Sequence, residues 1–264
     1  GVPAVMGELA SENKLHTDVM TASGKTLGEN LINKRSLDLT VIASCKEPVR
    51  ENAGFLVISG NLFDSALMKT SVISDDFKKR FFSTPGKEGI FEAKAIVFEG
   101  PEDYHDRIND PQLEIDDRSV LFIRGVGCVG YPGSAEVVNM LPSDKLVKEG
   151  INHLPTVGDG RQSGTSESPS ILNASPESVV GGGLAFLRTG DQVLLDLNKS
   201  EMNALVPEEE WETRKKNWVA PELRSHTPWE EIYRSHVGQL AEGGCLEMAT
   251  KYQKIRKTLS RDNH

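Results

Sequence analysis

The segment Thr156-Val157-Gly158-Asp159-Gly160-Arg161-Gln162-Ser163-Gly164-Thr165-Ser166 holds the densest set of chemically capable side chains in this sequence. An apolar stretch runs into a loop with three glycines and four hydroxyl or acidic groups. Glycines let backbone approach a ligand, and successive N–H groups in such a loop can cradle an anion. Ser163 has no bulky residue after it, so its hydroxyl could be presented freely; the competing reading is a polar surface turn.

A second segment, Gly125 to Glu136, reads as a strand end, a glycine-rich turn and a helix over Ser134 to Met140. Glu136 then falls in the first helical turn, where the helix dipole favours a carboxylate. A carboxylate projected from a glycine loop is equally a ligand for a hard cation. In a third segment, Ser59 to Ser71, Asn61 reads as a turn residue or a ligand contact. Gly24-Lys25-Thr26 resembles the tail of a phosphate-binding loop, but Val19 stands where the first glycine is required, which excludes it. His105, His153, His226 and His236 have no partner at metal-ligand spacing. Cys45, Cys128 and Cys245 are odd in number, widely spread and lack CxxC spacing, so they read as small packing side chains in a reducing compartment.

Several elements must position these groups. Leu37 to Ile42, Phe55 to Ile58, Ala93 to Phe98, Val120 to Ile123, Gly183 to Leu187 and Gln192 to Leu197 read as short strands between Gly, Pro and Asp. Helices are expected over Asp103 to Ile108, Asp144 to Glu149, Glu208 to Trp218, from Thr227-Pro228 onward, and over Leu246 to Ile255. The expected fold is a mixed β-barrel with flanking α-helices. Residues 1–33 form a separate arm, 34–220 the barrel and 221–264 a helical C-terminal arm.

The 264 residues carry a formal net charge of -9, which argues against a nucleic-acid partner. No apolar run approaches the roughly 20 residues of a membrane span, so no membrane partner is expected. The start at Gly1, without Met, is read as a sign of processing or of a longer parent polypeptide.

Four strings in order resemble the dihydroxy-acid / 6-phosphogluconate dehydratase family. They are Gly24-Lys25-Thr26-Leu27-Gly28-Glu29-Asn30, Ser59-Gly60-Asn61-Leu62, Tyr131-Pro132-Gly133-Ser134-Ala135-Glu136 and Asp159-Gly160-Arg161-Gln162-Ser163-Gly164. Phe63 to Ser74, Gly164 to Asn173 and the ending Arg261-Asp262-Asn263-His264 are similar to the arabinonate and xylonate dehydratase branch. The resemblance implies a hydro-lyase converting a 2,3-dihydroxy sugar acid to a 2-keto-3-deoxy acid. It implies Ser163 as the base at C2, Thr165 as a neighbouring substrate-positioning hydroxyl, Glu136 as a magnesium ligand, and His264 near the substrate. It also implies magnesium and an iron–sulfur cluster in the complete enzyme, a homo-oligomer, a cytoplasmic location, and a C-terminal barrel comparable to the swivelling domain of aconitase-like enzymes.

The family's cluster-binding cysteines and other magnesium ligands belong to an N-terminal half that nothing here matches. Residues 1–33 are therefore expected to be the last piece of that domain. The chain alone is expected to bind no cluster and to be inactive without the missing domain. The alternative is a non-catalytic binding or interaction protein derived from a truncated dehydratase.

Overall fold

The computed structural model describes residues 1–49, 53–162 and 167–252. The chain divides into two compact units, Gly1–Ala53 and Gly54–His264. In the first, helix α1 (Val2–Ser11) begins with a proline in its first turn, and α2 (Leu27–Leu31) is capped by Thr26. Thr26 and Glu29 exchange side-chain and backbone hydrogen bonds in a capping box, which gives Gly24-Lys25-Thr26 a structural role as turn and cap. No described residue of this unit is buried. Leu37, Leu39 and Val41 are exposed and lie in turns, so the strand expected over Leu37 to Ile42 does not form. Its alternation has no sheet neighbour to pair with.

The second unit is built on a closed eight-stranded barrel in the order β1-β2-β6-β5-β4-β3-β7-β8. The strands are β1 (Phe55–Gly60), β2 (Phe63–Lys69), β3 (Ile90–Phe98), β4 (Ser119–Ile123), β5 (Thr156–Gly158), β6 (Ser170–Ser175), β7 (Gln192–Asp196) and β8 (Glu201–Ala204). Strands β3, β4, β5 and β6 are parallel neighbours, and the remaining pairs are antiparallel except the closing pair β1·β8. The expected barrel with flanking helices is therefore the observed architecture.

Two apolar clusters explain the sequence patterns. Ala95, Val97, Val120, Phe122, Val157 and Ile171 belong to the cluster that fills the barrel. Their alternates Ile96, Phe98, Leu121 and Ile123 belong to a second, outer cluster with Val126, Val138, Leu146 and Leu154. Strand β4, and β3 from Ala95 to Phe98, are thus apolar on both faces, which is why they read as continuous runs rather than alternating ones. Helices α3 (Asp75–Phe81), α4 (Pro101–Arg107) and α5 (Asp144–Lys148) flank the barrel. Phe77 and Phe82 pack edge-on against Phe91 near the start of β3, with centroids 5.6 and 6.3 Å apart.

Closure relies on a side chain. Strands β1 and β8 share a single bridge pair, Ser59 with Glu201, and the Asn61 N–H donates to Asn203 Oδ1 at 2.8 Å. Beyond that bridge, Asn61 Nδ2 donates to the Ala204 carbonyl at 2.9 Å, and the Ala204 N–H donates to Asn61 Oδ1 at 2.7 Å. The amide of Asn61 therefore stands in for a peptide group across the seam.

Two more expectations are corrected. Gly183–Phe186 is a 3₁₀ turn that drops Leu184 and Phe186 into the barrel cluster, not a strand. Ser134 to Met140 is not helical: Ser134 has φ +59°, and the N–H groups of Ala135 and Val138 donate to Val126 and Arg161 across neighbouring loops. Those bonds replace the i to i−4 bonds that a helix would need. Near the C-terminus, a 3₁₀ stretch covers Glu247–Tyr252, and the remainder of the helix expected to Ile255 lies outside the described residues.

Helix α6 (Glu208–Asn217) is secured by Arg214. The guanidinium is 7% exposed, sits 2.6 Å from both Asp191 and Glu210, and donates to the Phe186 carbonyl at 3.0 Å. Removing one partner of a buried ion pair leaves an uncompensated charge and costs about 3–5 kcal/mol. Arg214→Ala should lower unfolding stability by about that amount in urea titrations. A loss below about 1 kcal/mol would show the pair to be dispensable.

Candidate functional site

Parallel strands deliver their following loops to one end of the sheet. After β4 comes Arg124–Gly130, after β5 comes Asp159–Gln162, and after β6 come Pro176–Ser178. These three loops are bound together by two buried carboxylates. Asp159 is fully buried and accepts from the Gly125 N–H at 3.1 Å, the Val126 N–H at 3.0 Å and the Ser178 N–H at 2.9 Å. It also accepts from Ser178 Oγ at 2.7 Å. Glu177 is 2% exposed and accepts from Val129 N at 3.0 Å, Gly130 N at 2.9 Å and Gln239 Nε2 at 3.0 Å. Gly127 is required there, because a Cβ at that position would lie 2.5 Å from Glu177 Oε2.

The C-terminal arm backs this glycine loop. In α7 (Pro228–His236), Thr227 caps Glu230 N at 3.2 Å, as its sequence indicates. Arg234 donates through Nε to the Val129 carbonyl at 2.9 Å. Cys128 is buried, and burial, followed by the nearby charge of Glu177, pushes its thiol pKa up, with Tyr233 opposing. That makes Cys128 a packing residue with a depressed tendency to ionise.

The loop after β5 then reaches Glu136. Arg161 N donates to the Ala135 carbonyl at 2.8 Å, and Arg161 Nε donates to the Ser134 carbonyl at 2.8 Å. Its Nη1 lies 3.5 Å from Glu136 Oε1, with both side chains about half exposed. Glu136 therefore sits in an irregular segment beside a loop residue, not in a first helical turn. Such an exposed pair holds little energy, so a cation could displace the guanidinium from this carboxylate.

Ser163 and Thr165, the catalytic and substrate-binding candidates, lie outside the described residues, as does His264. Ser163 follows Arg161 by two positions in the chain. Asn61, left open between turn and ligand contact, belongs to the barrel seam. Sequence reasoning passed over Asp159 and Glu177 as distinct residues. An acid between two glycines, Gly158-Asp159-Gly160, was the available signal for the first.

A metal centre does not fit the described residues alone. Among them, no group of three or more His, Cys, Asp or Glu side chains converges. Glu136 can give one oxygen ligand, whereas magnesium needs near-octahedral oxygen coordination. Cys45 is half-buried, Cys128 buried and Cys245 exposed, and among the described residues they form no thiolate cluster.

The model of the "Dihydroxy-acid/6-phosphogluconate dehydratase C-terminal" family matches residues 40–245. The chain belongs to that family. Over its whole length it is 57% identical to a D-xylonate dehydratase of Caulobacter vibrioides, covering 44% of that protein. It is 30% identical to an L-arabinonate dehydratase of Rhizobium leguminosarum bv. trifolii over 94% of this chain and 41% of the relative. A dihydroxy-acid dehydratase of Acetivibrio thermocellus is 31% identical, over 94% of this chain and 42% of its own length. The chain thus spans less than half the length of these relatives. No described helix is long and apolar enough to cross a membrane.

Glu177 yields a pH prediction. Burial is the main cause that raises its pKa above 4.5, with the Asp159 charge adding to it and the Gly130 and Val129 N–H groups opposing it. A raised folded-state pKa means the folded chain binds the proton more tightly than the unfolded one. The contribution is full below the unfolded value and is lost as pH rises through the folded value. Between pH 4.5 and that raised value, wild type should gain stability on acidification relative to Glu177→Gln. Urea titrations across this range measure it, and parallel pH profiles for the two proteins would refute it.

Proposed function

We propose that this chain is the loop-bearing part of a sugar-acid dehydratase, a hydro-lyase that converts a 2,3-dihydroxy sugar acid to a 2-keto-3-deoxy acid. The observation that carries the reading is the 57% identity to a D-xylonate dehydratase along the whole chain. The placement of Glu136 beside Arg161, two positions before Ser163, supports it.

In this reading the Ser163 alkoxide takes the proton from C2, the C3 hydroxyl leaves and is released as water once it gains a proton, which regenerates the alkoxide, and the resulting enol tautomerises to the ketone. A serine is a competent base only when its alkoxide is stabilised. Thr165 and His264 orient the substrate. Asp159 and Glu177 touch no reacting atom; they fix the three loops, including the one that carries Arg161 and Gln162 towards Ser163 in the chain. Glu136 supplies one magnesium ligand. The other ligands, together with the iron–sulfur cluster, come from the part of the polypeptide that the relatives possess beyond this match, and the chain is inactive without that part. The complete enzyme is a cytoplasmic homo-oligomer.

Purified alone, the chain should give no 2-keto-3-deoxy product from D-xylonate or L-arabinonate. Co-expressed with the remaining part of the Caulobacter vibrioides relative, it should give turnover. In that complex Ser163→Ala should cut kcat by at least about a hundredfold, the usual range for loss of a general base, with metal content unchanged. Glu136→Gln should instead reduce retained magnesium, measured by elemental analysis. Turnover by the isolated chain, or a Ser163→Ala complex with substantial activity, would overturn the respective assignment.

A further inference from the structure

The outside of the barrel has a covered sector and a bare one. On β3 and β4 the outward side chains Ile96, Phe98, Leu121 and Ile123 are completely buried beneath the outer cluster. That cover runs as far as Leu172 on β6, which packs at its margin. Beyond it the outward row continues: Leu172 stands opposite Leu67, and Leu67 opposite Val57. Val57 is 58% exposed. In the next row Lys69 stands opposite Phe55, its ammonium 5.9 Å from the ring centroid, and Phe55 is 70% exposed. Single exposed apolar residues are ordinary, whereas a cross-strand row that prolongs a buried layer marks an interaction surface.

Polar groups in the same sector are also incompletely matched. A cavity of about 40 Å³ is bounded by Phe55, Leu67, Lys69, Leu172 and Gln162. Gln162 Nε2 donates to Ser170 Oγ at 3.1 Å, while its Oε1 is buried and accepts no hydrogen bond. A buried acceptor left unpaired costs about 1–3 kcal/mol. Among the described residues, no carboxylate pairs with Lys69.

An exposed apolar row flanked by a cation has the composition of half an interface. The occupant follows from two facts. More than half of the D-xylonate dehydratase lies outside its match to this chain. Gln162 also directly precedes Ser163, so whatever covers Gln162 borders that loop. The geometry points to the outer sector of β1, β2 and β6 as the seat of the remaining part of a dehydratase polypeptide. That part brings an apolar ridge and a carboxylate for Lys69. The inference rests on the proposed function and adds the surface through which the two parts join.

The test co-expresses the whole 264-residue chain with the unmatched part of the Caulobacter vibrioides relative and measures assembly by sedimentation. Wild type should form the complex, and the double variant Phe55→Glu, Val57→Glu should bind at least about tenfold more weakly, since unpaired charges are costly in a buried interface. Val147→Glu, 44% exposed on α5, should bind as wild type. Both residues of the double variant are exposed, and an unchanged thermal midpoint confirms that it folds. As a second measurement, amide protons of residues 54–69 in the wild-type chain should gain protection from exchange in the complex. A complex indifferent to the double variant, or without added protection there, overturns the surface and leaves the functional reading standing. No complex with wild type overturns both. Self-association of the chain that the double variant abolishes assigns the sector to a second copy and overturns the occupant.

Discussion

Everything at the loop-bearing end of the barrel hangs on the carboxylate of Asp159. It is fully buried and receives four hydrogen bonds, from Gly125, Val126 and twice from Ser178. A buried charge is tolerable only when its lone pairs are met by donors, and here those donors belong to the loops after two other strands. One side chain thereby converts three independent excursions of the backbone into a single platform. Glu177 extends the platform to Val129 and Gly130 and, through Gln239, to the C-terminal arm. The arm returns the contact with Arg234 on the Val129 carbonyl.

The division of labour between core and loops follows from this. The two apolar clusters fix the parallel strands β3 to β6, while the loops that follow β4, β5 and β6 carry buried polar groups. Buried carboxylates then organise what the clusters cannot reach. Among the described residues, Glu136, by contrast, has one ion pair, a half-exposed contact to Arg161. That contrast fits the ligand role proposed for Glu136 and the supporting role of the two buried carboxylates.

Much of this was legible in the sequence, for identifiable reasons. Phe55–Ile58, Ala93–Phe98 and Val120–Ile123 announced themselves because burial on one or both faces demands apolar side chains. The caps at Thr227 and the acidic start of α6 were readable because helix ends use few residue types. Strands β2, β6 and β8 were not: Asp64, Asn173 and Asn203 interrupt the apolar pattern, and β8 is only four residues long. Ser134 to Met140 misled because its bonds go to distant loops, which local propensity cannot register. Asp159 and Glu177 were hidden for the same reason, since their donors lie 19 to 62 residues away in the chain.

The seam at Asn61 has a consequence for how this barrel can vary. Its side chain supplies both halves of a peptide-like hydrogen-bond pair to Ala204. Aspartate would keep the acceptor and lose the donor, leucine would lose both, and glutamine would carry the amide one methylene too far. Any of these replacements would leave one or both Ala204 backbone groups at the seam without this partner, so closure of the barrel ties position 61 to asparagine.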